Sequence, residues 1–192
     1  MQLILASTSP IRRHLLGQAG VEAIAIAPSV DEESIKQCHD GDAPGLALRI
    51  AEAKALSLDR PREFVIGSDS TLSVDGRLFS KPADREDAAR HLAHFSGKQM
   101  ILASAVALAR DGQIEWRHVE QATLKVRALS PDFIEKYLDL EWPEVAYCVG
   151  VFRMEGRGAT LFEAVDGSHF TILGLPLLPL LGALRERGLM AS

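Results

Sequence analysis

With 192 residues and 47% hydrophobic content, the chain is long enough to bury a real core, as one domain or as one domain with two lobes. Its charged fraction of 24% is that of ordinary globular proteins. The net charge of -5 excludes a surface built for nonspecific nucleic-acid binding, so an anionic substrate must be met by a local cluster of cations.

The first stretch, Leu3-Ile4-Leu5-Ala6, predicts a short buried strand, Ser7-Thr8-Ser9 a hydroxyl-rich turn, and Pro10 the opening of a helix. Ser9 is a good N-cap and Pro10 suits the first helical position, while Ile11, Leu15 and Leu16 recur at helical spacing. Residues 21–27 read as a second strand, and Val30-Asp31-Glu32-Glu33 as an acidic turn. A helix is expected from about Gly45 to Leu58, with Lys54 among alanines. Phe64-Val65-Ile66 is a compact β run that ends in Gly67-Ser68-Asp69-Ser70.

The next strands, Thr71 to Val74 and Arg77 to Phe79, make a hairpin around Asp75-Gly76. Asp84 caps a helix to Phe95, closed by Gly97 in a left-handed conformation. Met100 to Ala109 and Glu115 to Val126 predict long antiparallel strands. Ser130-Pro131 starts a helix to about Leu138, Val145 to Val149 reads as a strand, and residues 152–162 as an irregular loop. Leu175 to Arg187 is a C-terminal helix. The order is mixed α/β, with helices on an elongated, partly antiparallel sheet.

Other features limit the chemistry. Cys38 and Cys148 form no C-x-x-C pair, and neither they nor the six histidines have metal-ligand or nucleophile spacing. The longest apolar run, Ile172 to Leu184, contains Pro176 and Pro179 and falls short of a membrane span. The N-terminus lacks a basic leader, so a cytoplasmic protein without a membrane partner is expected. No Walker lysine, G-x-G-x-x-G or G-x-S-x-G occurs, and basic residues are not interleaved with aromatics as in nucleic-acid binders.

What remains is a scattered set of polar residues. Arg12 and Arg13 lie next to a helix N-terminus, the positive end of its dipole, where cations are disfavoured unless an anion is to be held there. The same residues also suit a plain capped helix with solvated arginines. Asp69, past a buried strand, is placed like a catalytic acid or base, or like a turn cap. Glu32 and Glu33 are suited to Mg²⁺ or to a solvated loop, and Lys54 and Lys81 to phosphate or to a solvated surface.

Taken together, the blocks resemble the Maf family of nucleotide pyrophosphatases. Ser7-Thr8-Ser9-Pro10-Ile11-Arg12 is similar to its Ser-x-Ser-Pro-x-Arg signature, and Val30-Asp31-Glu32 to its Val-Asp-Glu. Ala51-Glu52-Ala53-Lys54-Ala55 resembles its Ala-x-x-Lys-Ala helix, and Gly67-Ser68-Asp69 its Gly-Ser/Ala-Asp. Lys81-Pro82, Phe95-Ser96-Gly97-Lys98, Glu155-Gly156 and Ile172-Leu173-Gly174-Leu175-Pro176 look like further blocks in the same order.

The resemblance implies a single Maf/ITPase-like domain over residues 1–192, with two lobes around a central cleft. It also implies hydrolysis of a nucleoside triphosphate between the α- and β-phosphates, with Mg²⁺ or Mn²⁺ as cofactor. Ser7, Ser9, Arg12, Arg13, Lys54 and Lys81 would hold phosphates, Glu32 and Asp69 the metal, and Asp69 would act as the base. Ile11, Ser70 and Glu155 match the positions by which the family divides its substrates. Glu155 points to 7-methyl-GTP, since a carboxylate accepts from both N–H groups on the guanine edge. A dTTP/UTP pyrophosphatase, and a nucleotide-binding regulator of cell division with little catalysis, are the alternatives. Family analogy also suggests a homodimer.

Overall fold

The computed structural model describes residues 2–191. Seven strands hydrogen-bond in the order β2-β1-β3-β5-β6-β7, with β4 beside β3, where β1 is Leu3–Ala6, β2 Ala23–Ile26, β3 Phe64–Val74, β4 Arg77–Phe79, β5 Gln99–Arg110, β6 Gln113–Val126 and β7 Phe162–Asp166. The expected mixed α/β class is therefore the observed one. The chain divides into two compact units. One comprises Met1–Ser70, Ala103–Gln121 and Ser168–Ser192, the other Thr71–Leu102 and Ala122–Gly167.

In the first unit, β1 pairs in parallel with both β2 and β3. β1 and the first residues of β3 are buried on both faces, which is why they read as continuous apolar runs, while β2 at the edge is not. Leu3, Leu5, Phe64 and Ile66 join Val106 and Leu108 of β5 under helices α1 (Pro10–Gln18) and α7 (Leu177–Glu186), through Leu15, Leu16, Leu180 and Leu184. On the opposite face, Ala47, Ala51 and Ala55 of helix α3 (Ala43–Leu56) meet Ala105, Ala107 and Ala109. Small residues on both partners bring that helix close to the sheet. The approach is closest at Gly67, where a Cβ would lie 2.1 Å from the Ala51 carbonyl oxygen and 2.5 Å from the Ala55 nitrogen.

The caps follow the sequence. Ser9 and Ser130 accept from Arg12 N and Phe133 N, and Asp42 and Asp84 cap their helices in the same way. Three expectations change. Val30–Glu33 is not a turn: Asp31 caps helix α2 (Glu32–Gln37), and Glu32 and Glu33 fill its first turn, where carboxylates suit the dipole. Gly67–Ser70 does not end the strand but continues it, because its polar side chains find partners within the layer. Val145–Val149 is not a strand: a 3-10 turn, Glu144–Tyr147, follows Pro143, with Ala146 N donating to the Pro143 carbonyl.

The second unit holds the β3–β4 hairpin, antiparallel as expected, and helices α4 (Arg85–Phe95) and α5 (Pro131–Glu141). Arg85 ties the two helices together by donating to Glu135 at 2.7 Å and Asp139 at 2.5 Å. Residues 152–162, read as a loop, include a second 3-10 turn, Arg157–Leu161, and lead directly into β7, which pairs antiparallel with β6. A short helix α6 (His169–Ile172) then precedes α7 in the first unit. Among the described residues no helix is long and apolar enough to cross a membrane.

Gly67→Ala is expected to lower stability by about 3 kcal/mol, since the new methyl meets backbone that cannot yield. Gly17→Ala, on α1 with nothing within 4 Å of the added carbon, is expected to raise stability by about 0.5–1 kcal/mol through helix propensity. Urea unfolding of the two variants checks both directions.

Candidate functional site

Parallel α/β layers offer their ligand sites beyond the carboxyl ends of the strands. Here β1 ends its pairing at Ala6, opposite Gly67. The chain turns through Ser7 to Ser9 into α1, while β3 runs on through Ser68, Asp69 and Ser70. The buried Ser7 hydroxyl oxygen accepts from Ser9 N at 3.1 Å and sets this turn.

Arg12, at the third position of α1, folds inward rather than into solvent. Nε donates to the Gly174 carbonyl at 2.8 Å, Nη1 to the Ser68 carbonyl at 3.0 Å and Nη2 to Ser70 Oγ at 3.2 Å. None of these acceptors carries charge. A guanidinium has five N–H groups, so two remain for a further acceptor. Burial pulls the Arg12 pKa below its ordinary value, against the opposing pull of Asp69 and Glu32. A desolvated guanidinium held by neutral acceptors is ready for an anion that takes two parallel hydrogen bonds.

Beside it lies a carboxylate–ammonium–carboxylate cluster. Lys54 is 7% exposed, which removes the solvated-surface alternative for this residue. Its Nζ stands 2.7 Å from Asp69 Oδ1 and 2.8 Å from Glu32 Oε1. The close approach at Gly67 sets this geometry: Lys54 lies between Ala51 and Ala55 in sequence, and Asp69 points to the same face of β3 as Gly67. Glu32 enters from the first turn of α2.

Glu32 and Asp69 meet at the Lys54 ammonium, and their hard carboxylate oxygens are the donor type that Mg²⁺ or Mn²⁺ takes. Among the described residues no group of three or more His, Cys, Asp or Glu side chains is arranged to hold a metal ion. The pair suits an ion that takes its remaining ligands from phosphate and water, as Mg²⁺ does.

Arg12, Glu32, Lys54, Asp69 and Ser70 thus come together in the first unit. Ile11 is half-buried on α1. Arg13 is exposed and lines a separate concavity with Gln2, Gly17 and Glu22. Lys81 and Glu155 belong to the second unit, and both are exposed. Each acts electrostatically on the Cys148 thiol. In the same unit Glu141, 1% exposed, accepts from Arg153 at 3.1 Å and Arg157 at 3.3 Å. Arg157 therefore pairs with Glu141 rather than with Glu155.

Sequence reasoning missed Ser68, Ser104, Thr171 and Gly174 around Arg12. For Ser104 a signal existed, a lone hydroxyl inside the apolar run Met100 to Ala109.

An α/β protein with a half-neutralised cation pair and two carboxylates at the ends of parallel strands has the equipment of a phosphate-handling protein. The chain belongs to the Maf family: the model for Maf-like protein matches residues 2–187. It is 45% identical to the 7-methyl-GTP pyrophosphatase of Rhizobium meliloti (strain 1021), over 97% of this chain and 96% of that protein. It is also 45% identical to the nucleoside triphosphate pyrophosphatase of Nitrobacter hamburgensis, over 98% of this chain and 95% of that protein. The solved structure of the Staphylococcus aureus Ham1 protein aligns at 16% identity with a TM-score of 0.48, covering 98% of this chain and 100% of that one.

Both cysteines are free, with Cys38 exposed and Cys148 half-buried. Burial, with Glu155 adding to it, pushes the Cys148 thiol up to about 11. At pH 8 its thiolate is therefore scarcer than that of an ordinary thiol. Ellman's reagent at pH 8 is expected to titrate one fast thiol per chain, and the second only on unfolding or as the pH approaches that value. Two equally fast thiols would contradict the burial of Cys148.

Proposed function

We propose that this chain is a nucleoside triphosphate pyrophosphatase that cleaves the bridge between the α- and β-phosphates and releases a monophosphate and pyrophosphate. The observation that carries the reading is Arg12, desolvated and held by neutral acceptors beside the Glu32–Lys54–Asp69 cluster. The activities of the two relatives named above support it.

In this reading the outward N–H groups of Arg12 grip two phosphate oxygens, and Ser7 and Ser9 hold the turn that aims α1 at them. Lys54 keeps Asp69 and Glu32 facing the same point and adds positive charge where charge develops on the departing pyrophosphate. Asp69 takes a proton from the attacking water as the phosphate bridge opens and the bridging oxygen leaves with pyrophosphate. A divalent cation, Mg²⁺ or Mn²⁺, fits Glu32 and Asp69 and supplies neutralisation of phosphate charge and a more acidic water. Lys81 serves as a further phosphate contact.

The base proposed is 7-methylguanine. Glu155 is exposed and Arg157 is drawn to Glu141, so the carboxylate that suits a guanine edge is not masked by that arginine. A cytoplasmic setting, a house-cleaning role against modified nucleotides and a homodimer belong to the same proposal.

The test is pyrophosphate release from 7-methyl-GTP, GTP, dTTP and UTP, with Mg²⁺ and with Mn²⁺, by the wild type and by Asp69→Asn. The wild type is expected to prefer 7-methyl-GTP, and Asp69→Asn to lose roughly 10²–10⁴-fold in kcat, the range of a lost general base, with its urea midpoint little changed. No pyrophosphate from any nucleotide would end the pyrophosphatase reading in favour of a binding regulator. Fastest turnover of dTTP would end the guanine reading, and near-normal turnover by a folded Asp69→Asn the base assignment.

A further inference from the structure

The family resemblance places Ser70 among the positions that divide substrates, and its neighbours show what its side chain is engaged with. Ser70 Oγ lies 3.2 Å from Arg12 Nη2 and 2.8 Å from Ser104 Oγ, and Ser104 Oγ lies 2.7 Å from the Thr171 carbonyl. Both ends of this chain have a fixed polarity. Arginine only donates and a carbonyl only accepts, while each hydroxyl has one proton to give. The Ser104 proton goes to the Thr171 carbonyl, so Ser104 accepts the Ser70 proton. Ser70 in turn accepts from Arg12. The whole run of donors is directed from Arg12 to Thr171, so the Ser70 proton is committed within the protein and its hydroxyl is tied to the guanidinium.

The far end of the run is anchored. Ser104 and Thr171 are both 0% exposed, so neither hydroxyl can turn to water instead. Thr171 Oγ1 donates to Glu120 Oε2 at 2.5 Å. Three residues on, the Gly174 carbonyl accepts from Arg12 Nε and from Ser68 Oγ. Gly174 has φ +92°, and a Cβ there would lie 3.2 Å from Ser70 Oγ and 3.5 Å from Arg12 Nη2. The segment 171–174 therefore closes on the guanidinium from one side while β3 holds it from the other.

We propose that Ser70, Ser104 and Thr171 are positioning residues that orient the Arg12 fork, so that position 70 acts on every substrate through Arg12. The proposal rests on the phosphate-binding role of Arg12 given above.

Two readouts test it in Ser70→Ala, Ser70→Thr and Ser104→Ala. The first is solvent exchange of the Arg12 Nε–H by NMR, which needs no ligand, with Arg12→Lys as the assignment control. The second is KM and kcat for 7-methyl-GTP, GTP and dTTP, with inhibition by inorganic tripolyphosphate. Both alanine variants are expected to expose the Nε–H to exchange. They should also weaken tripolyphosphate and raise all three KM values by a common factor of about ten, the worth of one hydrogen bond to a charged group. The ratios of kcat/KM among the nucleotides should stay within about twofold of wild type on the same grounds. Ser70→Thr keeps the hydroxyl and should restore wild-type behaviour.

Unchanged Nε–H protection in both alanine variants would overturn the proposal. So would a changed nucleotide preference in Ser70→Ala or Ser70→Thr with tripolyphosphate inhibition intact. If Ser104→Ala does not fold, the Ser70 pair carries both readouts, since Ser70 is half-buried and lies on a strand that tolerates Thr. Wild type that neither binds tripolyphosphate nor cleaves nucleotides would refute the phosphate role of Arg12, and with it this use of the network, even where the exchange data fit.

Discussion

Two cations stand where the parallel pairing of β1 and β3 ends, Lys54 buried and Arg12 half-buried, and the rest of the site follows from how each is kept there. A buried charge without partners costs far more than a protein's net stability, so it survives only when paired or hydrogen-bonded. The two residues meet this demand differently. Lys54 is a compact ammonium and sits between two carboxylates. Arg12 is a planar fork and is held in place by two backbone carbonyls and a hydroxyl. The first arrangement balances its charge locally and the second leaves positive charge to be met by a ligand.

Neither arrangement would form without glycine at particular places. Gly67 lets α3 touch the backbone of β3, so a lysine one turn along the helix reaches a carboxylate two residues along the strand. Gly174 has a positive φ and no side chain where Ser70 and Arg12 pass. Around them the layer is built from alanine, which permits close approach with little loss of buried apolar surface.

The second unit solves a related problem in the opposite sense. Glu141 is a buried anion, and it recruits Arg153 and Arg157. That pairing decides the local electrostatics of the 3-10 segment that follows Glu155. It leaves Glu155 exposed and acting, with Lys81, on the half-buried Cys148 thiol.

Much was legible in the chain itself. Ser-Pro and Asp at helix starts, Asp-Gly at the hairpins and the two long apolar strands named most of the elements, because caps, turns and periodicity are local. The blocks around Arg12, Glu32, Lys54 and Asp69 named residues that the fold brings together. Three segments were misread. Asp31-Glu32-Glu33 is an N-cap and first turn, Ser68 to Ser70 is strand, and Val145 to Val149 is a 3-10 turn followed by irregular chain. The first and third turn on local bonds, from Ser34 N to Asp31 and from Ala146 N to the Pro143 carbonyl, whereas Ser68 to Ser70 is held as strand by partners 34 and 106 positions away.

The sequence by itself determined the strand, turn and helix starts, the apolar faces and the set of charged residues in play, since each of these depends on neighbours a few positions away. Only the tertiary structure decided that Lys54 is buried between Glu32 and Asp69, that Arg157 answers Glu141, and that Ser70 hands its proton to Ser104. Those outcomes depend on partners from 15 to 67 positions distant, as the Arg157–Glu141 spacing of 16, the Lys54–Asp69 spacing of 15 and the Ser104–Thr171 spacing of 67 illustrate. Burial makes each of them compulsory, because a polar group taken from water has to bond to whatever the fold brings beside it.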